Sequence, residues 1–193
     1  SSGSTYKEFC RAALEVTSSI IISTSIVPIY RQPAVELAGF AAELHDLSGG
    51  RFRLGLGVSH AGVLKAAGID VGNPLSDMRA YIGDLHEVAD KSGLILPPIY
   101  LATLRNGMLK LAHEIADGAI CGMGALSYMA RQFDATGVHP SDRFFIGNMA
   151  ATILHDDPDT VIAIHRAANN FYLRLPNYRN YWREAGYRDQ VQA

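Results

Sequence analysis

Cysteine is scarce: the chain carries two among 193 residues, Cys10 and Cys121. They lie far apart, and no C-x-x-C or His/Cys spacing accompanies them. That argues against a disulfide-stapled scaffold and against a zinc site. Such usage fits a protein of the reducing cytoplasm whose thiols are small buried residues. An excess of charge is equally absent, with 17 Lys and Arg against 19 Asp and Glu, a net charge of −2 and no basic cluster. The electrostatic footprint of a nucleic-acid binder is therefore missing. No run approaches the roughly 20 apolar residues of a membrane helix. The longest candidate, "SIIISTSIVPIY", is broken by Ser23, Thr24, Ser25 and Pro28. The opening "SSGSTYKEF" lacks the basic and apolar regions of a signal peptide and has the look of a tag remnant or a cut end. The sequence contains no internal repeat, linker or low-complexity segment.

What is present suffices for one ordinary domain with a core, since 48% of the residues are apolar. The pattern alternates between helical and strand periods. Residues 5–18 predict a helix with Phe9, Ala12, Ala13 and Val16 on its buried side, and residues 20–27, rich in β-branched side chains, predict a strand. Residues 34–47 carry Leu37, Ala41 and Leu44 at helical spacing, and Gly49 stands where a left-handed residue can end that helix. A strand over 51–58, a helix over 75–89 and a strand over 99–103 follow. Met108, Leu111, Ala112 and Ile115 mark a helix closed by Gly118. Then come a strand over 119–123, a helix over 127–135 and a strand over 144–154. Asp157 caps a last helix with Pro158 in its first turn, and Val161, Ile164, Ala168 and Phe171 form its expected buried stripe. Apolar strands alternating with helices predict an α/β fold, a parallel sheet covered by helices. An open doubly wound sheet and a (β/α)8 barrel both satisfy that pattern. The chain is short of a complete barrel, which takes about 250 residues.

The stretch "SGGRFRLGLGVSHAGV", Ser48 to Val63, sets a sharper problem. Side chains alternate across a strand, so Leu54 and Leu56 share one face while Gly55 and Gly57 leave the other bare. Glycine weakens a strand, so another backbone or a flat ligand is expected against that face. "GLGVSHAG" is not a dinucleotide fingerprint, because His60 stands where a glycine is required. No G-K-[ST] ends it as a P-loop, and Ala61 rules out a nucleophile elbow. His60 follows the carboxyl end of its strand, where α/β barrels carry their chemistry, and imidazole suits proton transfer. It is the candidate catalytic residue. "HDDPD", His155 to Asp159, reads as a helix start rather than a metal site. In "PIYLATLRNGML" a strand runs through Leu104, Arg105, Asn106 and Gly107 into a helix at Met108. Such a turn offers free backbone N–H groups to an anion, and Arg105 adds charge.

Three segments together resemble the luciferase-like monooxygenase superfamily, in particular its flavin- and deazaflavin-dependent oxidoreductases. They are "ISTSIVPIYRQPAVELAGFAAELHDLSGGRFRLGLGVSH", "PPIYLATLRNGMLKLAHEIADGAI" and "DDPDTVIAIHRAANNFY". The resemblance implies a single barrel domain over residues 1–193, a (β/α)8 TIM-type barrel that is incomplete. The family's first strand, helix and second strand are not evident, nor are its final strand and helix after Tyr187. It implies coenzyme F420, with FMN as the alternative, bound at the carboxyl ends of the strands, and a cis peptide at Ser25–Ile26 beside the ring. Ser25, Ile26, Val58 and Ser59 would then contact the cofactor, and Leu104, Arg105, Asn106, Gly107 and Met108 would hold its phosphate. "TSIVPIYRQP" leans toward the deazaflavin branch. The implied function is hydride transfer with F420 to a small-molecule substrate. The alternatives are an FMN-dependent monooxygenase and, from another class, a non-catalytic barrel fragment or cofactor-binding subunit. The implied assembly is a cytoplasmic homodimer with no nucleic-acid, membrane or metal partner.

Overall fold

The computed structural model of the chain describes residues 3–191. The first half runs α1 (Gly3–Glu15), β1 (Ile22–Ser23), β2 (Val27–Pro28), α2 (Ala34–Leu47), β3 (Phe52–Gly57), α3 (Ala61–Ala66) and α4 (Pro74–Ser92). The second half runs β4 (Ile99–Thr103), α5 (Asn106–Ile115), β5 (Gly118–Gly122), α6 (Leu126–Thr136), β6 (Phe145–Met149), α7 (Pro158–Leu173) and α8 (Pro176–Glu184). All strand pairs are parallel, in the order β1-β3-β4-β5-β6, with β2 alongside β3. The sheet is a curled half-barrel. Its curl brings Ser25 Oγ, beside β2, within 3.8 Å of Met149 Sδ at the end of β6. The barrel reading of the alternation therefore holds over the flat, doubly wound one.

The core lies between the convex face of the sheet and the helices. Phe52, Leu54 and Leu56 of β3 are fully buried against Leu37, Ala38, Ala41 and Leu44 of α2. Each leucine so buried contributes about 1.5–3 kcal/mol. Met78, Ile82, Leu85 and Ala89 bring α4 onto the same core. Helix ends are set locally. Asn73 accepts hydrogen bonds from Leu75 N and Ser76 N to start α4, and Gly93 ends it at φ 62°. Gly49 follows α2 at φ 60°, as its position suggests, and Asp157 caps α7 through Thr160 N.

Several expectations are corrected. The strand over 20–27 is two short pieces, β1 and β2, separated by a cis peptide at Ser25–Ile26. Ile20 and Ile21 lie outside the sheet, where the Arg51 guanidinium donates to Ile20 O and Leu14 O. The buried residues of α1 are Cys10 and Leu14, while Phe9 and Val16 are 71% and 82% exposed. Among the described residues this helix packs chiefly on α2 and β1. The helix after β4 begins at Asn106, two residues before Met108, and Gly118 opens β5 rather than closing that helix. Strand β6 stops at Met149, where its ladder with Gly122 of β5 ends, so Leu154 is exposed. The stripe expected on α7 is not buried, because that helix packs on α8 and not on the sheet.

The bare face of β3 is filled by backbone at Gly55 and by a side chain at Gly57. A Cβ on Gly55 would stand 1.9 Å from Thr24 O, and Thr24 Oγ1 donates to Gly55 O at 2.9 Å while accepting from Gly55 N at 2.8 Å. A Cβ on Gly57 would meet Ile26 Cδ1 at 2.8 Å. Gly55→Ala is therefore expected to destabilise the fold by at least about 3 kcal/mol, since backbone must move to admit the methyl group. Gly39→Ala, in α2 with nothing within 4 Å of the added carbon, is expected to stabilise it by about 0.5–1 kcal/mol. Urea unfolding of the two variants checks both signs.

Candidate functional site

The carboxyl ends of β3, β4, β5 and β6 open into a cavity of about 1040 Å3. Ser25 and Ile26 line one side of it, followed by Val58, Ser59 and His60 after β3. Leu104, Arg105, Asn106, Gly107 and Met108 line it after β4. All ten residues singled out from the sequence thus share one space. They converge because a parallel sheet with helical crossovers places every strand-to-helix turn on the same edge. Ala102, Ile120 and Gly122 supply small or apolar floor from β4 and β5.

Two residues at this edge hold left-handed backbone without being glycine: Ser59 at φ 60°, two residues after β3, and Met123 at φ 56°, directly after β5. Such conformations cost about 1–3 kcal/mol each and gather at functional turns. The N-terminus of α5 adds polarity. Its N-cap, Arg105, makes no side-chain cap, and the first intrahelical bond there is Leu109 N to Arg105 O at 3.2 Å. The N–H groups of Asn106, Gly107 and Met108 are therefore left for a ligand, at the positive end of the helix dipole. A Cβ on Gly107 would lie 3.4 Å from Leu75 Cδ1, so this glycine is not demanded by packing.

Arg105 differs from expectation. Its guanidinium is not free at the turn but bonds Glu184 Oε1 of α8 at 2.5 Å. Both side chains are about half exposed, so the pair itself contributes little stability. His60 is the N-cap of α3, yet its side chain caps nothing. Its ring instead sits edge-on against Phe171, Tyr172 and Tyr178, at centroid distances of 5.9, 6.2 and 5.9 Å. Its Nδ1 is buried without a hydrogen-bond partner. Burial lowers its pKa from the ordinary 6.5 and keeps it neutral at pH 7.

Sequence reasoning missed the far wall: Tyr172 at the end of α7, and Asn177, Tyr178 and Glu184 on α8. Burial, with a smaller push from Tyr172, raises the Tyr178 hydroxyl to about 12. It also missed Asn73, Pro74 and Leu75 at the start of α4. Pro176, in the first turn of α8, and the Asn73-Pro74 pair are helix-start signals that could have located the two helix starts, though not where the helices dock. Among the described residues no group of His, Cys, Asp and Glu is placed to hold a metal ion, and no helix is long and apolar enough to cross a membrane.

The chain and its half-barrel fold have known relatives. The family model described as luciferase-like monooxygenase matches residues 9–193, and the chain belongs to that family. A protein named 5,10-methylenetetrahydromethanopterin reductase, from Methanolobus tindarius, is 30% identical over 54% of this chain and 37% of its own length. The structure of a coenzyme F420 dependent tetrahydromethanopterin reductase from Methanopyrus kandleri superposes with a TM-score of 0.67 at 17% identity, covering 87% of this chain and 60% of that one. The oxygenating constituent of 3,6-diketocamphane monooxygenase from Pseudomonas putida, solved with FMN, gives 0.60 at 15% identity, over 93% and 65%. The chain thus spans less than two thirds of the length of each of these relatives.

The environment of His60 has a consequence for stability. Because burial lowers its folded-state pKa below 6.5, the unfolded chain takes up the proton first as pH falls. Stability from this group is full above about pH 6.5 and declines as pH drops toward the lower folded value. Between about pH 7 and pH 5, the wild-type protein is expected to lose stability faster than His60→Gln. Urea unfolding across that range measures it, and parallel curves would show that His60 is not desolvated.

Proposed function

We propose that the cavity holds a deazaflavin or flavin, coenzyme F420 first and FMN second, and that the protein is an oxidoreductase acting on a small-molecule substrate. The observation that carries this reading is the uncapped N-terminus of α5 opening into the same cavity as Ser25, Ile26 and His60. The residues suit such a ligand. One end of the cavity offers unpaired N–H donors for a phosphate, and the remainder is lined by Ile26, Gly57, Val58 and Ala102, which accommodate a flat ring. F420 takes first place because it is named for the Methanopyrus kandleri reductase, and FMN second because it is bound in the Pseudomonas putida monooxygenase.

The bound group supplies the hydride chemistry; the chain supplies binding, orientation and proton handling. Asn106, Gly107 and Met108 bind the phosphate through backbone N–H groups, and Arg105 shares its five donors between that phosphate and Glu184. Ser25, Ile26, Val58 and Ser59 set the plane of the ring. His60, held neutral, would take or return a proton beside the ring, and the aromatic wall of Phe171, Tyr172 and Tyr178 shields it from water.

Titration with F420 and with FMN, followed by turnover assays with each reduced cofactor, tests the reading. F420 is expected to bind more tightly and to support turnover. Turnover with FMN alone would reverse the order, binding without turnover would favour the non-catalytic alternative, and binding of neither would remove the proposal. Gly107→Asp places a carboxylate among the phosphate donors while meeting only Leu75. It is expected to weaken cofactor binding at least tenfold, about 1.4 kcal/mol, with the unfolding midpoint unchanged because Asp suits a first helical turn.

A further inference from the structure

We propose that Gln132, which lies outside the cavity on α6, is a positioning residue that orients the phosphate-binding turn. This rests on the reading of the α5 N-terminus as the phosphate site. Gln132 is 2% exposed, its Nε2 donates to Leu104 O at 3.0 Å, and its Oε1 is buried with no partner. Single buried atoms of His45, Arg53, His60 and Arg179 also lack a partner, but among the described residues the other polar residues buried as a whole are better served. Thr24 bonds Gly55 twice, Ser48 accepts from Arg51 N and Phe52 N, and Thr103 Oγ1 lies 3.6 Å from Cys121 Sγ. A leucine or methionine would fill the place of Gln132 and remove the stranded Oε1 but would leave Leu104 O without its donor, so the tie to Leu104 is what the glutamine supplies.

The single bond that Gln132 does make falls at a decisive peptide. The Leu104–Arg105 bond is trans, so its carbonyl and its N–H point in opposite directions. With Leu104 O tied to α6, the Arg105 N–H is turned away from α6. In this proposal it stands with the N–H groups of Asn106, Gly107 and Met108 as a fourth donor at the start of α5. Once the tie is lost, this peptide is free to turn, and a carbonyl oxygen in place of the N–H would repel an anion. Gln132 thus acts on the phosphate through Leu104 without touching the ligand.

The test compares ligands that differ by the phosphate. Dissociation constants of FMN and riboflavin are measured by fluorescence titration in the wild-type chain, Gln132→Leu and Gln132→Met, alongside urea unfolding. In both variants the constant for FMN is expected to rise about tenfold, roughly 1.4 kcal/mol. The constant for riboflavin should stay within about twofold, and the unfolding midpoint should change little, because removal of the stranded Oε1 offsets the loss of the donor to Leu104 O. Equal weakening of both ligands, or of neither, would overturn the inference. The methionine variant, unbranched and similar in length to glutamine, decides the matter if the leucine variant does not fold. A wild-type protein that binds FMN no better than riboflavin would instead overturn the phosphate site itself, and the role of Gln132 with it.

Discussion

The clasp between Thr24 and Gly55 is the contact on which the site depends. One hydroxyl serves both backbone groups of Gly55, and the carbonyl of Thr24 occupies the space where a Cβ would stand. This fixes the chain between β1 and β2 against the centre of β3. The next two residues, Ser25 and Ile26, are thereby delivered to the cavity wall, and Ile26 fills the space beside Gly57. The convex side of β3 meanwhile carries Phe52, Leu54 and Leu56 into the core. One strand thus anchors the fold with its leucines and shapes the site with its glycines.

The cavity is electrically divided. At the β4–α5 turn, backbone donors and Arg105 make an anion-seeking end, partly answered by Glu184. At the β3–α3 turn, a histidine stripped of partners sits among aromatic rings. The ligand proposed above, with an anionic tail and an apolar, proton-exchanging ring, would meet both ends at once. Because the polar end is built from backbone, its strength depends on peptide orientation, which a side chain on a neighbouring helix can set. In the proposal above Gln132 occupies that place, its Nε2 bonded to Leu104 O.

Much of this was legible in the sequence because its causes are local. Alternating apolar periods gave the order of strands and helices; Asp157 and Gly49 marked helix ends through their own hydrogen bonds and dihedral angles. The site residues after β3 and β4 could be chosen because the topology of parallel sheets sends every such turn to one edge. The far wall was not legible. Tyr172, Tyr178 and Glu184 reach the cavity through the packing of α7 and α8, and no local pattern states where a helix docks. The apolar face of α7 misled for the same reason, since amphipathicity shows that a helix has a side to cover and not what covers it.

The sequence by itself determined the class of fold, the parallel order of its strands and the turns that carry polar and glycine residues. Those features follow from side-chain period and backbone preference, which act over a few residues. Only the tertiary structure decided what fills the bare face of β3, where a carbonyl 31 positions earlier in the chain is fitted to Gly55. Only it paired Arg105 with Glu184, 79 positions away, and tied Leu104 to Gln132, 28 positions away. These are contacts between groups that sequence spacing leaves independent, and they exist because close packing of helices on a curled sheet leaves each buried polar atom few partners within reach.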